Sequence, residues 1–325
     1  MSKALGLLSG GLDSSLAAMT LLRQGVEVTG IAFVTPFFGS AKAEQAARQI
    51  GIPLIVQDIG EVHLEMVKNP RYGYGKNMNP CIDCHAMMFR LAGEVMAGKG
   101  FDFLFSGEVL GQRPMSQNLN ALRSVANYSG HPDRILRPLS ARLLAITAME
   151  EEGLVDRERL LDIQGRSRKP QEKLAREWGL TDYPSSGGGC LLTEKSISNR
   201  LRDLFDHRPE ATVTDVELLK LGRQFRLSET AKLTLGRNQA DNEALKAMAR
   251  PEDLLLRCID VSGPLGLVSG TPDTAALELA GSLVASYGKG QDRPEVGILV
   301  QQADASSRLT VKPAERGQAG ELLIA

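Results

Sequence analysis

The sequence predicts an α/β protein built on a doubly wound parallel sheet, with a smaller α+β domain following it. Three observations lead there. Strand-like apolar runs alternate with helix-like segments through the first 145 residues, the pattern of a parallel sheet covered by helices on both faces. A Ser-Gly-Gly turn joins the first strand directly to the first helix. From about Leu221 the texture changes to short β-like runs interrupted by one long helix.

Taken in order, Ala4–Leu8 is a short apolar run and reads as a buried strand. Ser15–Arg23 reads as the helix after it, followed by the strand Val26–Phe33, the helix Ala41–Ile50 and the strand Pro53–Asp58. Asn69–Pro80, rich in Gly, Asn, Pro and Tyr, reads as a loop. A helix is expected at about Ala86–Gly98, then a strand at Phe101–Phe105 and helical structure over Ser140–Glu152. The basic segment Gly165–Arg176 opens a further helix ending near Trp178, and Ser185–Gly189 reads as a loop of close backbone approach. Helices are also expected at Ser196–Phe205, Asp215–Leu221 and Asp273–Tyr287. The domain boundary is expected near residue 210, giving domains 1–209 and 210–325.

Composition narrows the function classes. No apolar run approaches the roughly 18 residues of a membrane span, and the chain enters its first strand without a secretion leader. A cytoplasmic protein is expected. Four cysteines in 325 residues do not make a disulfide scaffold. A net charge of −1 carries no global nucleic-acid signature, so any RNA contact must come from local patches. Two basic stretches are candidates: Arg166, Arg168, Lys169, Lys173 and Arg176, and then Lys220, Arg223, Arg226, Lys232 and Arg237. Charge runs of this kind are ordinarily solvated faces.

The turn itself is Ser9-Gly10-Gly11-Leu12-Asp13-Ser14-Ser15. A glycine-rich strand-to-helix turn lets backbone approach a ligand and aims the unpaired N–H groups of the helix start at it. That favours an anion, usually phosphate. The Gly-Lys-Ser/Thr ending of a Walker A loop is absent. The heptapeptide resembles the S-G-G-x-D-S loop of the PP-loop ATP pyrophosphatase superfamily. This resemblance implies cleavage of ATP to AMP and pyrophosphate, with AMP activating an oxygen for replacement by nitrogen or sulfur. ATP on this loop would meet backbone and hydroxyl donors from Ser9, Gly10, Gly11, Ser14 and Ser15. Asp13 would hold Mg²⁺ or shape the turn. Phe33 would border the adenine or serve the core, and Gly107 would permit close approach to the nucleotide. Gln112, Arg113 and Gln117 would bind ribose, phosphate or substrate.

Cys81-Ile82-Asp83-Cys84 lies directly before the expected helix at Ala86, where the helix dipole should lower thiol pKa. Cys190 follows the glycine run, and Cys258 sits in an apolar run as a core residue. One CxxC and a distant cysteine lack the pair-plus-pair spacing of a structural zinc site, with His85 contiguous to Cys84. The CxxC is also misplaced for a thioredoxin-like motif. A third reading is a joint site in which Cys81, Cys84 and Cys190 hold an iron–sulfur cluster or relay a persulfide; unpaired and inert cysteines are the remaining alternative.

Asn79-Pro80-Cys81-x-x-Cys84 and Gly188-Gly189-Cys190-Leu191-Leu192 resemble the two cysteine loops of the tRNA 2-thiouridylases. Ser106–Gln117, with Ile135–Leu139, is similar to the corresponding stretch of tRNA 4-thiouridine synthetases. With the phosphate turn, the resemblance covers about residues 4–195. It implies that ATP adenylates a uridine carbonyl in tRNA and that cysteine-borne or cluster-borne sulfur displaces AMP. It further implies ATP, Mg²⁺, a [4Fe–4S] cluster on Cys81, Cys84 and Cys190, and a sulfur donor such as sulfide or a cysteine desulfurase product. The aspartate that often follows Asn-Pro in the 2-thiouridylases is replaced by Cys81. Leu235-Gly236-Arg237-Asn238, with Asp241-Asn242-Glu243, resembles an RNA-binding module of ribosome-rescue factors. Two other readings stand beside tRNA thiolation: thiolation or amidation of a small metabolite, and non-catalytic, nucleotide-sensing RNA binding.

Overall fold

Five strands, Lys3–Leu7 (β1), Glu27–Val34 (β2), Leu54–Asp58 (β3), Phe103–Ser106 (β4) and Ile135–Leu136 (β5), form one parallel sheet in the order β3-β2-β1-β4-β5. This is seen in a computed structural model that describes residues 1–184 and 189–325. The chain moves outward from β1 to β3 and then crosses back to β4, so the switch point lies between β1 and β4. Open α/β sheets bind ligands at the carboxyl ends of the strands at such a point.

The helices of this unit are Leu12–Leu22 (α1), Ala41–Ile50 (α2), Gly60–Lys68 (α3), Cys81–Lys99 (α4), Leu119–Ser129 (α5), Ala148–Glu151 (α6) and Lys169–Glu177 (α7). Side chains alternate across β1. Ala4 joins a core with Leu16, Leu21, Ala47, Phe105 and Ala175, while Leu5 joins one with Ile31, Phe89, Leu104 and Val125 on the other face.

Several elements depart from expectation. Helix α3 was not legible because its inward stripe is His63, Leu64 and Val67, with a histidine in the middle. Helix α5 buries mainly small residues and is announced by its cap, Asn118, whose Oδ1 accepts from Ala121 N at 2.9 Å. Helix α4 begins a turn earlier than expected, which moves the CxxC from a loop into its first turn. Over Ser140–Glu152 the expected helix shrinks to a 3₁₀ turn at Ala141–Leu143 and the single turn α6. Thr147 starts that turn in a capping box with Glu150, which interrupts any continuous helix.

The compact units are Met1–Leu191 and Leu192–Ala325, a division earlier than the boundary expected at residue 210. The reason is Lys195–His207 (α8), which is bound into the second unit. Its Arg200 donates to Leu219 O at 2.7 Å, and its Asp203 receives both arms of Arg226. The second unit continues through Val213–Leu219 (α9), Arg223–Ser228 (β6), Ala231–Leu235 (β7), Gln239–Met248 (α10), Leu254–Cys258 (β8), Gly266–Gly270 (β9), Thr274–Ser286 (α11), Val296–Gln302 (β10), Ala305–Val311 (β11) and Arg316–Leu322 (α12). Its six strands form an antiparallel sheet ordered β11-β10-β8-β9-β7-β6. Phe225, Leu233, Leu256, Ile298 and Leu283 build its core, which also buries Cys258 as expected. Among the described residues, no helix is long and apolar enough to cross a membrane.

Candidate active site

The phosphate turn follows β1 at the switch point. Gly10 has φ +75°, and a side chain there would overlap the backbone of Lys42 in the first turn of α2. Only glycine fits, and the starts of α1 and α2 converge on the turn. Gly11 caps α1; its amide donates to Ser9 Oγ at 3.4 Å, and Ser14 Oγ donates to its carbonyl at 2.9 Å. Ser15 is buried and its amide is spent on Gly11 O, so it lacks the backbone donor expected of it.

Packing places two further residues. Phe33 is buried with Leu5 and Phe89, which is the core place that was one of its two expected roles. Gly107 is required because a side chain there would overlap the backbone of Asp13 and Ser14. The close approach it permits is to the phosphate turn.

Asp13 anchors a polar network. Gln112 Nε2 donates to Asp13 Oδ2 at 2.6 Å, and Gln171 Nε2 donates to Gln112 Oε1 at 2.7 Å. Arg168, the cap of α7, places NH2 3.9 Å from the same Asp13 oxygen. Asp13 Oδ1, Gln171 Oε1 and Arg168 Nε are buried without a hydrogen-bond partner among the described residues. Buried polar atoms are costly to leave unpaired, so a cluster of them beside a phosphate turn marks a place prepared for a polar ligand. Asp13 Oδ1 suits a magnesium ion, and Arg168 supplies the cation that the turn lacks in sequence. The basic stretch at Arg166–Arg176 therefore contributes at least one residue here.

The cysteines lie at the carboxyl ends of β2 and β3. Cys81 and Cys84 occupy the first turn of α4, where Asn79 Nδ2 donates to Cys81 Sγ at 3.2 Å. Leu191 N donates to Phe37 O at 3.1 Å, which draws the Cys190 loop to the turn after β2. Of the glycine loop at 185–189, residues 185–188 lie outside the described residues. Cys84 Sγ is 3.4 Å from His63 Nε2, whose ring is flanked by Phe37 and Phe38. Burial first, and then the Cys190, Cys81 and Asp83 charges, raise the Cys84 pKa well above its ordinary value. The helix-start effect that should lower it is outweighed. Burial also pushes His63 down to about 4, so its ring is neutral at neutral pH.

None of the four cysteines is in a disulfide. Among the described residues, no three His, Cys, Asp or Glu side chains are gathered as a metal-holding group. Cys190 and Cys81 both raise the Cys84 pKa, so the three thiols share one electrostatic neighbourhood.

Sequence reasoning missed the group beside them. His85 donates from Nδ1 to Glu108 Oε1 at 2.8 Å, and Arg137 Nε donates to Glu108 Oε2 at 2.9 Å. Burial alone would raise the Glu108 pKa. The Arg137 charge and the His85 and Arg137 hydrogen bonds outweigh it and bring the pKa down to about 2. His63 could have been found only by noticing a histidine in an apolar stripe. Glu108 and Arg137 are separated in sequence, and nothing local marks them as a pair.

In the second unit, the basic stretch at Lys220–Arg237 is largely satisfied internally. Arg226 grips Asp203, Arg237 Nε donates to Asp241 at 2.9 Å, and Lys220 pairs with Glu217. Arg223 stacks 4.7 Å over the Tyr287 ring. Lys232 is buried and desolvation brings its pKa down to about 8, the Asp203 charge opposing the shift and the Arg226 charge adding to it. The stretch expected to face RNA phosphates mostly holds its own domain together. Exposed cations stand elsewhere: Arg257 on β8 and Arg308 on β11 both sit opposite Leu299 of β10.

Comparisons with known proteins divide along the same line. Residues 1–142 match the family described as Thiamine biosynthesis protein (ThiI), and residues 222–322 match the family described as NFACT protein RNA binding domain. A probable tRNA sulfurtransferase of Staphylococcus aureus is 31% identical over 144 residues, covering 42% of this chain and 34% of that protein. The chain thus spans about a third of the length of the curated relatives it matches. A 4-thiouridine synthetase solved with RNA and ATP is 28% identical, with a TM-score of 0.34, covering 42% of this chain and 36% of that one. The C-terminal part of a fibronectin/fibrinogen-binding protein from Streptococcus suis is 14% identical, with a TM-score of 0.30, covering 48% of this chain and 72% of that one. The ThiI and tRNA sulfurtransferase matches bear out the PP-loop, tRNA-thiolation resemblance of the first unit, and the NFACT RNA-binding-domain match bears out the RNA-module resemblance of the second.

Proposed function

We propose that this chain is an ATP-dependent tRNA sulfurtransferase that replaces a uridine carbonyl oxygen with sulfur. One observation carries the reading: the phosphate turn with its Asp13–Gln112–Arg168 network and the cysteine group stand at the same edge of one sheet. The similarity to ThiI and to a tRNA sulfurtransferase supports it for the first unit, and the similarity to an RNA-binding domain supports an RNA substrate. A tRNA substrate fits the cytoplasmic location expected from the sequence.

The chemistry runs in two displacements. ATP lies along the turn, its phosphates met by Gly10 and Gly11 backbone and by the Ser9 and Ser14 hydroxyls. Arg168 offsets phosphate charge. Asp13 would hold Mg²⁺, which neutralises the pyrophosphate leaving group. The uridine carbonyl oxygen attacks the α-phosphorus and pyrophosphate departs, leaving an adenylated uridine. A persulfide-bearing sulfur donor passes its outer sulfur to the thiolate of one of the three cysteines and leaves as its own thiol; the new persulfide then attacks the activated ring carbon, and AMP leaves with the original oxygen. A second cysteine thiol attacks the remaining cysteine sulfur of the persulfide link, forming a disulfide and freeing the thiocarbonyl; a reductant of thiol class restores both thiols. Cys84, whose pKa is raised, rests protonated against neutral His63 and suits the later resolving step better than the first attack.

A [4Fe–4S] form of this site would ask the three thiols to close on one cluster. Visible absorbance of protein purified without oxygen separates the two forms, the cluster being coloured and the persulfide not. The function itself is tested by supplying tRNA, ATP, a persulfide sulfur donor and a thiol reductant and digesting the product to nucleosides. Thiouridine made only with ATP supports the proposal, and its absence from a reaction that consumes ATP opposes it.

A further inference from the structure

We propose that Arg71, Tyr72 and Tyr128 form a stacking platform for unpaired bases of the RNA substrate beside the thiol loop; this rests on the RNA reading above. Tyr72 and Tyr128 are 43% and 42% exposed, and their ring centroids lie 5.9 Å apart at 62°. The Arg71 guanidinium lies 5.0 Å over the Tyr128 ring and 5.8 Å from that of Tyr72. Neither tyrosine belongs to a core of the first unit. Two large rings, each more than two-fifths exposed, are held together at the surface by one guanidinium.

The platform is tied to the sulfur chemistry by a buried carboxylate. Asp83 lies between Cys81 and Cys84 in the first turn of α4 and is only 1% exposed. Its two oxygens accept from Arg71 N at 2.8 Å and from Tyr72 N at 3.0 Å. Burying a carboxylate is costly unless charge-assisted bonds offset it, and here both bonds go to fixing this loop. The same turn of helix therefore presents the thiols and holds the platform.

The chemistry selects the ligand. Tyrosine rings and an arginine plane stack on nucleobases with little sequence preference, and arginine also answers the phosphate between them. A duplex hides its base faces. An enzyme that reacts at a base carbonyl must take that base out of the stack, and its unstacked neighbours then need a surface near the reacting sulfur. The Gly-, Asn- and Tyr-rich loop at Asn69–Pro80 thereby gains a role.

The test is binding of a short uridine-containing single strand, and of a duplex of equal length, to wild type and to the Tyr72→Ala/Tyr128→Ala double variant. Melting temperature serves as the fold control. Stacking is worth about 1–3 kcal/mol per base, so the double variant should bind the single strand about ten- to a hundredfold more weakly, with duplex binding little changed. Tyr72→Phe/Tyr128→Phe keeps both rings and should keep the affinity. Equal single-strand affinity in the alanine variant, or a loss in the phenylalanine variant as large as with alanine, overturns the platform. A wild type that thiolates tRNA while the alanine variant keeps its affinity removes the platform alone. A wild type that binds no RNA and forms no AMP removes the proposed function and the platform with it.

Discussion

Gln112 Nε2 and Asp13 Oδ2 lie 2.6 Å apart, tying the loop after β4 to the phosphate turn after β1 across the switch point of the sheet. The bond uses one Asp13 oxygen and leaves Oδ1 buried without a partner among the described residues. Asp13→Ala is therefore expected to abolish AMP and pyrophosphate formation while the melting temperature holds. Pyrophosphate release is the measurement, and near-normal release would remove Asp13 from the mechanism.

Arg168→Ala is expected to lower kcat/KM for ATP by about a hundredfold, the scale for losing one charge-stabilising contact. RNA affinity should change far less. Arg168→Lys should recover part of the rate, because the charge returns without the planar fork. A variant that loses RNA affinity and keeps pyrophosphate release would return Arg168 to a backbone-binding role.

Acid should destabilise the first unit in two windows. His63 has a folded pKa lowered from 6.5 to about 4, so its neutral form stabilises the fold above pH 6.5. That contribution is lost as pH falls from 6.5 towards 4, because the unfolded chain takes up the proton first; it amounts to roughly 3 kcal/mol. Glu108 is lowered from 4.5 to about 2, and its contribution is present above pH 4.5 and lost on falling towards 2. Denaturant unfolding against pH should show His63→Gln losing the upper window and keeping the lower. An unchanged upper window would mean that His63 is not the group responsible.

How much of this could be read beforehand depends on how local each signal is. The phosphate turn was legible because Ser9–Ser15 carries its glycines, its cap and its flanking strand within a few residues. The basic stretch at Lys220–Arg237 misled because the partner of Arg226, Asp203, stands on a helix outside it. Arg168 lies far along the chain from Asp13, and only the sheet brings them together. Phe33, near the end of β2, suits an adenine border or the core equally by sequence, and only its packing with Leu5 and Ile31 puts it in the core.

Binding of tRNA should follow the same correction. Arg226→Ala and Arg237→Ala remove intramolecular ion pairs and are expected to lower the melting temperature of the second unit more than RNA affinity. Arg257→Ala and Arg308→Ala leave the fold intact and should each reduce the slope of log affinity against log salt by about one unit. The reverse pattern would restore the Lys220–Arg237 stretch as the contact surface.

The most direct measurement is nucleoside mass spectrometry of tRNA incubated with the purified protein, ATP, a persulfide sulfur donor and a thiol reductant, with AMP counted in the same reaction. The account predicts one thiouridine for each AMP formed, lost in Asp13→Ala together with AMP. In Cys81→Ser/Cys190→Ser, thiouridine should be lost while AMP formation continues. AMP formed by the wild type without any sulfur in tRNA, or thiouridine formed unchanged by the cysteine variant, would contradict it.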